Sequence, residues 1–465
     1  MFAIGFTEAF DQERTWVVPA GHVPPGEVGD EIAALAGVLP DEIVVLPRPL
    51  RRPARVLLAG VGDGDEAGWR AAGAGIVRAL GDDEPVQILL PDNLPAAALR
   101  GLAEGLWLGG YRYRDGVKAP RSGAVDLVVQ KPTAAYAAAL AQASATATAT
   151  WLARDLTNTP ASTKNPEWFA DQIVALADGR PGLSVTVRAG DDLARFGGLL
   201  AVGGGSVSPP RFVELSWAPE GATTHVVLVG KGITFDTGGI SIKPRDGMKL
   251  MKKDMGGAAA VLAATLGAAE LNLPVRVTAL APLAENAVSG SAFRPGDVIT
   301  HYDGSTTENT NSDAEGRIVL ADALSYAADR LDPDLVLNLA TLTGANAVAL
   351  GKRTAALYSP DDDLAAALTA AGEAAGERMW RLPLAGEYTE NLRSDIADRI
   401  SAPSGPGSVM AALFLRDFFP RVPWAHLDMS APSWAEAHDG ELTKGATGWG
   451  ARTLLRYLSA LDGGQ

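Results

Sequence analysis

The chain has 465 residues, no cysteine and a formal charge of −15 from 40 basic and 55 acidic side chains. That length favours two or three domains, and 47% apolar with 20% charged residues is the balance of a globular protein. The lack of cysteine excludes disulfides, thiolate metal sites, iron–sulfur clusters and a cysteine nucleophile. The acidic surplus repels polyphosphate, so neither general nucleic-acid binding nor an anionic membrane surface is expected.

The first residues, Met1-Phe2-Ala3-Ile4-Gly5-Phe6, carry no basic region and no long apolar run. No signal peptide is therefore expected, and the protein is expected in the cytoplasm. Arg55–Gly60 reads as a strand ending in a glycine turn. A helix through Trp69–Leu80, a strand at Val86–Leu90, a helix over Ala96–Leu108 and a strand at Val125–Gln130 follow. Strands alternating with helices indicate an α/β domain with a largely parallel sheet. The uncharged run Thr133–Ala153 is long enough to suggest a membrane span. Its Ala, Thr, Ser and Gln content, poor in Leu, Ile and Phe, fits a packed helix instead. Asn158-Thr159-Pro160 ends that helix, and another starts near Pro166-Glu167.

Further strands are expected at Ser184–Arg188, Phe212–Trp217, His225–Val229, Val275–Ala281, Leu335–Ala340, Ala355–Tyr358 and Trp424–Met429. Helices, including Ala258–Glu270 and Ile318–Arg330, lie between them. The expected architecture is α/β throughout: a smaller N-terminal α/β domain over 1–135, a connecting helix over 136–157, and a larger catalytic α/β domain over 158–465. The larger domain is expected to hold a central mixed sheet flanked by helices.

Chemistry concentrates in two segments. One runs from Gly230-Lys231 through Asp236-Thr237-Gly238-Gly239 to Lys243, and on to Lys253-Asp254-Met255-Gly256-Gly257. The other is Asn311-Ser312-Asp313-Ala314-Glu315-Gly316-Arg317, directly ahead of a helix. If they converge, Asp236, Asp254, Asp313 and Glu315 supply four negative charges, enough to neutralise two divalent cations. Asp313 and Glu315, two apart, share a face in an extended segment. Two cations about 3.5–4 Å apart can share a bridging water and lower its pKa towards 7. Lys243 could donate to the oxyanion of a tetrahedral intermediate. Lys231 as a ligand must lose a proton of ordinary pKa about 10.4, a shift worth roughly 4 kcal/mol if brought to 7.

Other motifs are weaker. Gly60-Val61-Gly62-Asp63-Gly64 follows a strand but breaks the dinucleotide pattern at Asp65, and Gly203-Gly204-Gly205-Ser206 has no following Lys-Ser or Lys-Thr. The five histidines show no zinc spacing, and His426 reads as a core or supporting residue. No Gly-x-Ser-x-Gly elbow occurs.

At its two principal segments the chain resembles the M17 leucyl aminopeptidases, the cytosol aminopeptidase family. The family signature NTDAEGR stands here as Asn311–Arg317 with Ser312 for Thr. The block Gly230–Lys243 and Asp254–Gly257 matches in residues and spacing. Similarity recurs at Asn338–Gly344, Trp380–Leu384, Trp424–Asp428 and Gly448–Leu454, so it spans most of 158–465.

The resemblance implies a dinuclear metal aminopeptidase that hydrolyses the N-terminal peptide bond through a metal-bridging water. It implies Lys231, Asp236, Asp254, Asp313 and Glu315 as ligands, with Asp236 and Glu315 bridging. The ions would be zinc or manganese, with magnesium or cobalt as alternatives. Lys243 would polarise the scissile carbonyl, and Arg317, with Gly316 and Leu342, would hold bicarbonate as the catalytic base. Met251, Asn311, Thr341 and Gly344 would meet the substrate. Peptide substrates, a homo-hexamer of two trimers, and no membrane partner are implied. The segment Met429-Ser430-Ala431-Pro432-Ser433 departs from the family's Ile-Ala-Gly run beside the side-chain pocket, so a preference for leucine is not carried over. A catalytically silent scaffold or DNA-binding member of the family is the alternative. The intact set of seven site residues and the −15 charge stand against it.

Overall fold

The computed structural model describes residues 1–24, 26–33, 42–113, 123–129, 131–419 and 422–461. The chain divides into two compact units, Met1–Trp151 with Ala435–Gly445, and Leu152–Trp434 with Ala446–Gln465.

The first unit is built on six strands: β1 (Ile4–Thr7), β2 (Thr15–Pro19), β3 (Ile43–Pro47), β4 (Arg55–Ala59), β5 (Val86–Leu89) and β6 (Val125–Val128). Their order is β1-β6-β5-β2-β4-β3, parallel except where β3 meets β4. Alternate residues serve opposite faces, as a period of two requires. Val17 packs with Leu57, Ile88 and Leu127 on one side, and Trp16 and Val18 pack with Val56, Leu58 and Leu89 on the other. The expected strand Val125–Gln130 ends at Val128, and Gln130 lies outside the described residues. Three of the six strands, β1, β2 and β3, were not anticipated from sequence. Asp65, which broke the dinucleotide pattern, caps the helix Glu66–Ala79 by accepting from Gly68 N at 2.8 Å.

The uncharged run forms the helix Ala134–Asn158. Tyr136, Ala139, Ala143 and Ala147, spaced three and four apart, enter the core of the first unit. No helix among the described residues is long and apolar enough to cross a membrane. Asn165 caps the next helix, Pro166–Ala177, accepting from Trp168 N, with Pro166 at its first position.

The second unit holds β7 (Leu183–Arg188), β8 (Arg211–Trp217), β9 (His225–Gly230), β10 (Gly232–Asp236), β11 (Arg276–Asn286), β12 (Val298–Thr300), β13 (Thr306–Glu308), β14 (Leu335–Ala340), β15 (Ala355–Tyr358), β16 (Met379–Arg381), β17 (Arg399–Ile400) and β18 (Trp424–Asp428). Nine of them form a mixed sheet in the order β16-β15-β18-β14-β9-β11-β8-β7, with β10 also pairing β11. The strands β18, β14, β9 and β11 run parallel through its centre, and β8 and β7 complete one side antiparallel. Val227 and Val229 of β9 join a core with Ile318, Val319 and Leu320 of the helix Glu315–Arg330. Val226 and Leu228 therefore face the opposite side of the sheet. The helix Gly256–Glu270 is buried from Gly256 to Ala268. Its Ala-rich, all-round apolar sequence fits a helix enclosed by protein.

Candidate active site

Lys231 stands where β9 gives way to β10. Its N–H donates to Leu339 O of β14 at 3.0 Å, and its carbonyl accepts from Ala258 N at 2.9 Å. The side chain thus leaves the sheet at the carboxyl ends of parallel strands, where open α/β sheets form their ligand crevices. A Cβ on Gly316 would lie 2.5 Å from Lys231 Cε, so the helix start passes close to this lysine and any larger residue there would push its side chain aside.

β10 ends on Asp236. Its Oδ1 accepts from Gly238 N and Asn286 Nδ2, both at 2.8 Å, and its Oδ2 faces Lys243 Nζ at 2.8 Å. Gly238 at φ +85° turns the chain back, and Lys243 N closes the loop on Thr237 O at 2.9 Å. Asp254 follows the 3-10 turn Met251–Lys253. Its Oδ1 accepts from Thr341 Oγ1 at 2.8 Å, and its Oδ2 lies 2.7 Å from Lys231 Nζ.

The second segment is not extended. Asn311 Oδ1 accepts from Asp313 N at 2.9 Å and caps a 3-10 turn, Ser312–Ala314, which runs into the helix opened by Glu315. Asp313 and Glu315 nonetheless face one space, because the turn and helix start replace the strand alternation. Asp313 pairs with Lys243, and Glu315 Oε1 lies 2.7 Å from Lys231 Nζ. Ser312 Oγ donates to Gly238 O at 2.7 Å and accepts from Ser241 N at 2.8 Å. The hydroxyl that Ser shares with Thr thus ties the two segments together.

The structure brings together all six charged residues expected at the centre. One carboxylate oxygen each of Asp236, Asp313 and Glu315 lie within 4.8 Å of one another, and Asp254 joins them through Lys231. Four carboxylates face two ammonium groups in a space where Lys231, Asp236, Asp254 and Glu315 are each at most 3% exposed. Burial opposes the Lys231 charge, but Asp254, Glu315 and Asp236 outweigh it and raise its pKa. Burial first, then neighbouring negative charge, pushes the Asp236 and Glu315 carboxyls above the usual carboxylate range. Glu315 Oε2 has no hydrogen-bond donor, and Asp254 Oδ2 and Asp313 Oδ1 meet lysine off hydrogen-bond geometry. Buried oxygen in surplus over protein donors is the donor set of hard divalent cations. The residues present fit a metal site.

Arg317, in the first turn of the helix, is buried. Its Nη1 donates to Ser401 O at 2.7 Å, and its Nε has no partner. Burial lowers its pKa to about 10. Thr341 also touches the cluster, since Lys231 Nζ donates to Thr341 O at 3.2 Å. Met251 begins the turn before Asp254. Gly344 is exposed at the start of the helix Ala345–Leu350. The Leu342 N–H donates to Asp428 Oδ1 at 3.1 Å.

A sequence profile described as the cytosol aminopeptidase family, catalytic domain, matches residues 151–455. The chain belongs to the cytosol aminopeptidase family. It is an M17 peptidase, a hydrolase of peptide bonds. It is 43% identical over 442 residues to a probable cytosol aminopeptidase of Leifsonia xyli, covering 91% of this chain and 88% of that one. A counterpart from Cutibacterium acnes is 48% identical over 321 residues, 68% of this chain and 63% of its own. Among solved structures, the bottromycin maturation enzyme BotP, in complex with Mn, superposes with a TM-score of 0.87 at 44% identity, covering 97% of this chain and all of its own. A mutant of tomato leucine aminopeptidase superposes equally well, 0.87, at 30% identity over 99% and 97% of the two chains.

Three contributors to this candidate site were missed in the sequence. Asn286 donates to Asp236 Oδ1 and, at 3.0 Å, to Ser312 O, so one amide fixes both segments. Asp428 accepts from Leu342 N, Thr343 N, Thr343 Oγ1 and Ser430 N, which holds the 341–344 loop. Lys164, fully buried, donates to Lys252 O beside Asp254. A lone Asn at the end of a long apolar strand or a Lys before a helix carries no spacing signal. Asp428 does stand in a matched block, but its carboxylate serves the backbone.

Proposed function

We propose that the protein is a dinuclear metal-dependent aminopeptidase that removes residues from the N-terminus of peptides. The observation that carries this reading is the surplus of buried carboxylate oxygen where β10, the turn before Asp254 and the start of the helix Glu315–Arg330 converge on Lys231. Lys231, Asp236, Asp254, Asp313 and Glu315 would hold the ions, and the buried Asp236 and Glu315 would be shared by both, as the family resemblance implies. Zinc or manganese suits these donors, and magnesium or cobalt can replace them. When bound, the two ions supply a bridging water of lowered pKa and a Lewis acid for the scissile carbonyl.

The protein's own groups orient the substrate and stabilise developing charge. Lys243 stands at the mouth of the cluster, its side chain 16% exposed, and donates to the carbonyl oxygen as negative charge grows there. Asp254, Glu315 and Asp236 together hold the Lys231 ammonium, and its Nζ would serve as a nitrogen donor to an ion only after giving up a proton to water. Arg317, with an unpartnered Nε, and the Gly316 N–H in the first turn of the helix would hold bicarbonate as the catalytic base. Leu342 joins them only by sharing the N–H it now gives to Asp428. Met251, Thr341, Gly344 and Asn311 border the space for the N-terminal residue. Peptide substrates, a hexamer of two trimers and a cytoplasmic location accompany this reading on family resemblance.

Elemental analysis of purified protein reloaded with Mn2+ tests it. Two ions per chain are expected in the wild type, and Glu315→Gln should lose at least one ion and nearly all peptide hydrolysis. A Glu315→Gln protein with full metal content and wild-type turnover would remove Glu315 from the site.

A further inference from the structure

Lys164 is buried without exposure, on the segment before the helix Pro166–Ala177. Its Nζ donates to Thr157 O at 2.9 Å, to Lys252 O at 2.6 Å and contacts Met255 Sδ at 3.1 Å. All three partners are acceptors with no proton to give, so the amino group serves all of them as a donor, although burial first and then the nearby Lys252 push its pKa well below the ordinary lysine value. Among the described residues no carboxylate lies within ion-pair distance of it. The compensation is the C-terminal end of the helix Ala134–Asn158, whose last carbonyls carry partial negative charge.

Two of the three partners flank Asp254. Lys252 lies two residues before it and Met255 one after, while Thr157 belongs to the helix end. A single amino group thus fastens the turn that carries Asp254 to the end of the helix Ala134–Asn158. A second strap runs the other way: Lys252 Nζ donates to Asn158 O at 2.7 Å, and Asn158 Oδ1 accepts from Ala446 N at 3.1 Å. Lys253 adds a third, donating to Ser430 O at 2.7 Å and Ser433 Oγ at 3.1 Å. Of the three lysines, only Lys164 bonds the turn's backbone and reaches past Asp254.

We infer that Lys164 is a positioning residue for the metal centre: its buried amino group, bonded to both the helix end and the turn, sets the aim of Asp254 on the space shared with Lys231. The inference rests on Asp254 being a metal ligand. It assigns a role to a residue that touches neither ion nor substrate. Groups that hold a ligand in place typically change metal affinity about 10–100-fold when removed. A methionine at this position fills the same volume but leaves the Thr157 and Lys252 carbonyls without a donor.

The test is calorimetric titration of chelator-stripped full-length protein with Mn2+ alone, comparing wild type with Lys164→Met. Phe196→Leu, a core substitution away from the site, controls for general destabilisation. The wild type should bind two equivalents. Lys164→Met should weaken one of the two by about tenfold or more and leave the other nearly unchanged, and Phe196→Leu should keep both. If Lys164→Met does not fold, Lys164→Gln, which keeps donors on a shorter stem, carries the same comparison. Two unaltered affinities in the Lys164 variant, whatever its melting temperature, overturn the positioning role. A wild type that binds fewer than two equivalents overturns the dinuclear reading instead, and the two failures are distinct.

Discussion

Lys231 and Lys243 carry the same charge in one cluster but are built in differently. Lys231, 3% exposed, sits between Asp254 and Glu315, and Lys243, with its side chain 16% exposed, faces Asp236 and Asp313. Removing one partner of a buried ion pair costs about 3–5 kcal/mol, so Lys231 is part of what holds the metal-free site together. Lys243 can be removed at less cost to stability. Lys243→Ala is therefore expected to fold with a near-normal melting temperature and to lose about 10²–10³-fold in kcat, with KM changed far less. Steady-state kinetics on a dipeptide decide this, and a rise in KM alone would sink the assignment. At this scale much was legible beforehand, because charged residues among glycines at fixed spacing are rare. Asn286 was not legible. Its role arises from a contact between segments that only the folded chain brings together.

Among the elements, the start of the helix Glu315–Arg330 carries the most consequence. Asp313 and Glu315 reach one space through a capped 3-10 turn followed by a helical turn, where spacing alone had offered strand alternation. The Asn311 cap decides between the two, and a cap is visible only once the turn is formed. Gly316 is the tight point: an added Cβ would sit 2.5 Å from Lys231 Cε and 2.8 Å from its Nζ, and that ammonium is already fixed by two carboxylates. Gly316→Ala, favourable for the helix by propensity, should keep the far-UV circular dichroism of the wild type. It should bind Mn2+ at least about tenfold more weakly, as expected when a ligand loses its support. Wild-type affinity in that variant would mean Lys231 has slack that the packing does not show. The strands of the second unit were largely readable, since β9 and β14 are unbroken apolar runs of the kind parallel sheets bury. In the first unit β2 was overlooked although all five of its residues are buried. Its apolar run is only Trp16-Val17-Val18 and closes on Pro19, a residue that argues against a strand in the sequence.

For the whole molecule, acid stability follows from two buried histidines. His225 Nδ1 donates to Leu331 O at 3.1 Å and its Nε2 accepts from Thr278 Oγ1 at 2.9 Å, a pairing that suits the neutral ring. Burial, with Arg276 nearby, lowers its pKa from 6.5 to about 4. His426 is pushed down to about 3 by burial, with Arg317 adding to it. Between pH 6.5 and 4 the unfolded chain binds protons at these sites that the folded chain refuses, so the contribution of the two rings to stability is lost as pH drops through that window. The loss belongs to these two rings, so between pH 6.5 and 5 the urea midpoint of His225→Gln should fall less than that of the wild type. Midpoints that move in parallel in the two proteins across that window contradict this. The central claim is that the molecule is a metal-dependent aminopeptidase. It is tested most directly by incubating chelator-stripped protein with a panel of dipeptides and their N-acetylated counterparts, before and after adding Mn2+ or Zn2+. Free N-terminal residues should appear only with metal and only from unblocked peptides. Cleavage without metal, equal cleavage of blocked peptides, or no turnover with any metal would contradict the account.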